Sequence, residues 1–154
     1  LARVKEIWYS MKMRVRSIHP VSVQSQMHLQ LYAAKVPAGF PSPADDFTDT
    51  KLDLNEHLIQ HPASTFFLTV SGESMTGVGI FDGDTLIVDR SLKAEDSSIV
   101  IAALDGELMV KRLSIRKTGY FLVSENEEYE PIEIESEADF SVWGVVTNVI
   151  HRLR

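Results

Sequence analysis

The stretch IVIAALDGELMVKRL, residues 99–113, constrains the chain more than any other. Two apolar-rich runs flank Asp105-Gly106, and Asp-Gly is the pair that tolerates positive φ at both centres of a type I′ turn, the turn whose twist matches paired strands. An antiparallel hairpin follows, with Lys111 on the returning strand five residues beyond the turn. From residue 64 onward the rest reads the same way, as short apolar runs broken by turn signals. Strands are predicted near 65–71, 84–90, 97–104, 107–115, 119–124, 131–135 and 140–150. The last run, FSVWGVVTNVIHRL, is long for one strand, and Gly144 marks a bulge or bend within it. The fold class is therefore mainly β: a compact, strand-rich domain.

The 154 residues suit one such domain, which buries about two-thirds of its unfolded surface. With no cysteine, neither a disulfide nor a thiolate metal site is available. His57 and His61 share an i, i+4 spacing, but no carboxylate lies between them and no third ligand is evident, so no metal or cofactor is expected. The longest apolar runs, STFFLTV and SSIVIAAL, fall far short of the roughly 18 residues of a membrane span. No apolar segment follows the basic N-terminus as in a signal peptide. A soluble, cytoplasmic protein is the expectation, with no membrane partner.

The first 50 residues lack a sustained period. VPAGFPSPADDFTDT, residues 36–50, holds three prolines and a glycine, and proline holds its predecessor extended. The peptide around Ala38 and Gly39 is expected to be accessible and strand-like, the geometry of a segment that lies in a cleft. LDLNEHLIQHP, 52–62, predicts one or two helical turns stopped by Pro62. The formal charge of −7 is uneven: residues 1–38 carry six basic side chains against Glu6 alone, and 39–154 carry nine basic and twenty-one acidic. An acidic body is ill suited to gripping phosphates, so direct DNA binding is not expected of it. The basic arm reads as a solvated tail or as a DNA contact.

In VSGESMTGVGIFDGDTLIVDR, residues 70–90, Ser74 is either a turn residue or a nucleophile. A serine hydroxyl is weak until a base takes its proton. None of His19, His28, His57, His61 and His151 sits in a predicted strand of the central body, where a rigid site is built. Lys111 does, with apolar flanks. An exposed lysine titrates near 10.4 and offers roughly one neutral amine in 2,500 at pH 7, but desolvation lowers that value. A solvent-facing strand lysine remains the alternative.

Taken together, SGESM, FDGDTLIVDR, VKRL, the 37-residue separation of Ser74 from Lys111 and an upstream Ala38-Gly39 bond resemble the self-cleaving serine-lysine peptidases of the LexA and UmuD type. The resemblance covers about residues 38–150 and is nearer the UmuD type, through GFPSPADDF, LDLNEHLIQHP, IVIAALDGE and GVVTNVI. It implies a LexA/UmuD-like catalytic domain, 39–154, behind an extended N-terminal arm, 1–38, removed by self-cleavage at Ala38-Gly39. It implies Ser74 as nucleophile, Lys111 as neutral base, and the backbone amides of Ser74 and Met75 as oxyanion donors. Gly72 would let the chain turn around them, and the Asp82-Gly83-Asp84 turn would shape a loop.

By the same resemblance the protein is a homodimer of the SOS response, stimulated by the RecA filament on single-stranded DNA. Its processed form is then an accessory subunit of an error-prone Y-family translesion polymerase. UmuD-type proteins often carry Cys-Gly where this chain has Ala-Gly; both place a small residue before the attacked carbonyl. Two alternatives differ in kind: a non-proteolytic dimeric module of a translesion polymerase, and a LexA-type repressor fragment, disfavoured because no winged helix-turn-helix pattern precedes Ala38. A signal peptidase shares the dyad but needs a membrane anchor. The first ten residues match no segment of the family, and Met11 and Met13 are candidate natural starts.

Overall fold

A computed structural model describes residues 13–22, 28–32 and 48–153. Among these described residues ten strands form: β1 Arg14–Pro20, β2 His28–Tyr32, β3 Thr48–Asp53, β4 Thr65–Ser71, β5 Thr85–Asp89, β6 Ile99–Leu104, β7 Glu107–Arg116, β8 Gly119–Val123, β9 Ile132–Glu133 and β10 Phe140–Ile150. The α-helix of the described residues, α1 Leu54–Leu58, is short and is capped by the Asp53 carboxylate, which accepts the Asn55 N–H at 2.8 Å. It stops short of Pro62, so His57 and His61 do not share a helical face. No helix among the described residues is long and apolar enough to cross a membrane.

The predicted hairpin is present. Leu104 pairs with Glu107 across a two-residue turn, and Asp105 and Gly106 take φ of 50° and 81°, the two positive values a type I′ turn demands. All seven strands expected after residue 64 form, each with its ends within two residues of the expected ones; the penultimate one is the shortest, Ile132–Glu133. At Gly144 the register of β10 against β6 slips. A Cβ there would lie 2.6 Å from Val88 Cγ1, so the bulge and the missing side chain answer the same crowding.

No sustained period predicts a strand before residue 53, and there the structure differs. β2 and β3 pair as a separate two-stranded antiparallel sheet, flanking the chain from 33 to 47. β1 joins the main sheet, whose order is β1-β4-β5-β10-β6-β7-β8-β9, and it also pairs with β7. The pairings thus run β1, β4, β5, β10, β6, β7 and back to β1, a closed circuit with β8 and β9 extending beyond it. Closure gives β4 and β7 a partner where each would otherwise present an open edge. The main core lies inside this circuit: Met13, Leu68, Val70, Met75, Ile80, Leu86, Val88, Ile101 and Val110. A second cluster, Val100, Ala102, Met109, Leu113 and Leu122, packs where β6, β7 and β8 meet.

Candidate active site

The circuit closes at the point where the sequence placed its chemistry. Ser74 follows β4 on a turn that begins at Gly72, whose φ of 110° is open to glycine and strained for other residues. Asp82 accepts the Gly72 N–H at 3.0 Å, and the Asp84 carboxylate accepts the Phe81 N–H at 2.8 Å. The Gly83 N–H reaches the Val70 carbonyl at 2.9 Å, and the Val70 N–H reaches the Asp84 carbonyl at 3.0 Å. The acidic turn braces the serine turn from below, as its expected loop-shaping part requires.

Lys111 stands on β7 opposite Val100. Strand alternation points it to the side of Met109 and Leu113, and it is only 1 % exposed. Its Nζ lies 3.0 Å from Ser74 Oγ, and Ser74 is itself fully buried. Two residues 37 apart in sequence are thus brought within hydrogen-bond reach inside an apolar wall. Nζ also donates to Ser124 Oγ at 2.6 Å and stands 5.6 Å from the centroid of the Tyr129 ring. Burial raises the Tyr129 phenol above its usual range, and the charges of Glu128 and Glu73 push it the same way.

Ser74 Oγ has a second neighbour. The backbone N–H of Met13, a fully buried residue just before β1, donates to it at 3.1 Å, while the Met13 carbonyl accepts the Val110 N–H at 3.2 Å. The hydroxyl therefore meets a peptide N–H. A nucleophile attacks a carbonyl carbon, so this N–H contact sets Met13 against Ser74 Oγ without presenting a bond for cutting. The N–H groups of Ser74 and Met75 take no hydrogen-bond acceptor among the described residues.

Three elements of the site were not visible in the sequence: Met13, Ser124 and the segment that follows Ser124. The Glu125 N–H donates to the Ser74 carbonyl at 2.9 Å, the Glu125 carbonyl accepts from Gly77 at 2.7 Å, and Asn126 Nδ2 donates to the Glu73 carbonyl at 3.0 Å. These bonds run mostly through backbone groups, which residue identity does not announce. The expected cleavage bond, Ala38-Gly39, lies outside the described residues, between β2 and β3. No described histidine contacts Ser74. His61 binds Asp89 at 2.6 Å and His151 binds Asp84 at 2.6 Å. No group of three metal-ligating side chains occurs among the described residues.

Comparison with known proteins gives a consistent picture. A family model described as Peptidase S24-like matches residues 30–147. The chain is 47% identical over 125 residues to Protein ImpA of Salmonella typhimurium, covering 80% of this chain and 84% of that protein. It is 40% identical over 137 residues to Protein SamA of Salmonella typhimurium, covering 89% and 95%. The LexA repressor of Stenotrophomonas maltophilia is 38% identical over 116 residues, covering 75% of this chain but 54% of the repressor.

Proposed function

The chain belongs to the Peptidase S24-like family of LexA/UmuD-type self-cleaving serine peptidases, and on that premise we propose that Ser74 and Lys111 cut the chain's own Ala38-Gly39 bond. The observation that carries this reading is the 3.0 Å approach of a buried lysine amine to a buried serine hydroxyl. An amine removed from water is less readily charged, and a neutral amine has the lone pair a base needs.

In the first step the Lys111 lone pair takes the Ser74 proton as Oγ bonds to the Ala38 carbonyl carbon. The oxyanion rests on the Ser74 and Met75 N–H groups. The C–N bond to Gly39 then breaks, and the Lys111 proton goes to the leaving amine. Water repeats the exchange: Lys111 takes its proton, the new C–O bond forms, and the ester to Ser74 breaks with that proton returned to Oγ. The products end at Ala38 and begin at Gly39, which divides the chain into the 1–38 arm and the 39–154 body.

Because Met13 holds the position in front of Ser74 Oγ, cleavage requires that it withdraw and that the 33–47 segment enter. Tethering makes that entry intramolecular, and a partner that stabilises the entered form accelerates the reaction by population shift. Within the SOS response that partner is the RecA filament on single-stranded DNA, in the cytoplasm. The processed body then serves, as a homodimer, a Y-family translesion polymerase.

The test is incubation of the full chain at mildly alkaline pH, read by mass spectrometry. Fragments 1–38 and 39–154 are expected from the parent, formed faster as pH rises, and none from Ser74→Ala or Lys111→Ala. Equal cleavage in either variant sinks the assignment of the pair.

A further inference from the structure

The 2.6 Å bond between Lys111 Nζ and Ser124 Oγ is shorter than the 3.0 Å approach to Ser74. Ser124 follows directly on β8, and its two successors grip the nucleophile's turn: Glu125 through the Ser74 carbonyl and the Gly77 N–H, Asn126 through the Glu73 carbonyl. The Glu125 carboxylate pairs with Arg112 Nε, which ties the segment back to β7 beside Lys111. One three-residue stretch thus touches both members of the pair, the base by a side chain and the nucleophile by its backbone.

We propose that Ser124 is a positioning residue for the reaction, aiming the Lys111 lone pair at Ser74; the proposal rests on the reading of Ser74 and Lys111 given above. A neutral amine carries two N–H bonds and one lone pair, and lysine ends in a compact group that turns freely on a flexible stem. The lone pair faces Ser74 only if the N–H bonds are engaged elsewhere. Ser124 Oγ engages one of them and leaves the lone pair for the Ser74 O–H, which then becomes the donor. A serine suits this place because a hydroxyl accepts without bringing a charge; a carboxylate would hold the lysine as ammonium. After proton transfer the same bond becomes charge-assisted and stronger, so Ser124 also stabilises the cation that forms as Oγ attacks.

Removing such an acceptor has two effects. The plateau rate falls by roughly tenfold to a hundredfold, the worth of one hydrogen bond to a charged group. The midpoint of the rate–pH curve moves to lower pH, since Ser124 favours the protonated amine of the resting enzyme. The Tyr129 ring near this amine, with the Glu128 and Glu73 charges acting on its phenol, is left in place by the substitutions. The midpoint shift therefore reports the loss of the Ser124 hydroxyl.

The experiment follows cleavage of the full chain by mass spectrometry across pH, for the parent, Ser124→Ala, Ser124→Cys, Ser124→Thr and Lys111→Ala, with melting measured on each. Ser124→Ala should cut the same bond with the lowered plateau and the acid-shifted midpoint. Ser124→Cys, similar in size but a weak acceptor, should behave alike if the alanine variant does not fold. Ser124→Thr should recover the parent's curve to within a few-fold. A parent-like plateau and midpoint in the alanine or cysteine variant overturns the proposal, as does a lowered rate with an unmoved midpoint, the mark of a structural role. Cleavage by Lys111→Ala at the parent's rate overturns the underlying assignment of the base instead.

Discussion

Met13→Ala tests whether the residue that fills the cleft restrains the reaction. Met13 is fully buried in the main core, and its backbone bridges Ser74 Oγ and the Val110 N–H. Truncating a buried methionine to alanine costs about 2–5 kcal/mol. That loss falls on the state with Met13 docked, because a withdrawn Met13 has no buried contacts to lose. If the docked state dominates, the fraction of molecules with an open cleft rises by the same free energy, roughly 30-fold at the lower end and a few thousand-fold at the upper end. Cleavage accelerates in proportion until the open form is no longer rare. The assay is a time course of the 1–38 and 39–154 fragments without any stimulating partner. Amide exchange along β4 serves as the control, because loosening β1 exposes the edge that Arg14–Pro20 covers. Faster exchange along β4 with unchanged or slower cleavage would refute the reasoning, and would mean that β1 builds the site by closing the circuit.

Further expectations follow from particular atoms. A Cβ on Gly77 would stand 2.5 Å from the Glu125 carbonyl oxygen that accepts the Gly77 N–H. Gly77→Ala should push the serine turn away from the 124–126 segment, slowing cleavage about tenfold or more at an overpacking cost of about 1–3 kcal/mol in stability, read by fragment analysis and melting. Asp89 is buried, which alone would raise its pKa, yet hydrogen bonds from the Ser91 side chain and backbone, His61 and Ser64 outweigh that and lower it from 3.8 to about 2. Such a group contributes about 2 kcal/mol, fully present above about pH 4 and lost as pH falls through about 2. Asp89→Asn should therefore lower stability at pH 7 and flatten the acid limb of the denaturation curve between those values; an unchanged limb would mean that Asp89 does not set it.

Where a sequence element folds from its own neighbours, its residues foretold it. Asp105-Gly106 dictated a turn, and apolar runs on either side dictated strands, so the hairpin that carries Lys111 was legible. Gly72 and Gly144 were legible for a similar reason, since each marks backbone that a side chain would obstruct. β1 was not. RVRSIHP carries two arginines, a proline at its end and mixed burial, and it is held chiefly by backbone pairing to β4, with a slip between Val15 and Ser17. Pairing partners supply that stability, and no local pattern records them.

The site shows the same division at closer range. Ser74 and Lys111 were found as residue types in the right surroundings, but their distance depends on a circuit that closes through β1 and on a loop that reaches across from β8. Closure brings the β4 turn beside β7. The 124–126 segment then sets the turn's depth through two backbone bonds at Glu125 and one side-chain bond at Asn126. A nucleophile and its base held by separate strands keep their spacing only while both supports stay in place. Loss of either should separate hydroxyl from amine before it unfolds the sheet, and activity should fail at lower denaturant than the main β signal in a combined cleavage and circular dichroism titration. Coincident loss of both would show instead that the pair is fixed by the sheet as a whole, with β1 and the 124–126 segment adding no separate control.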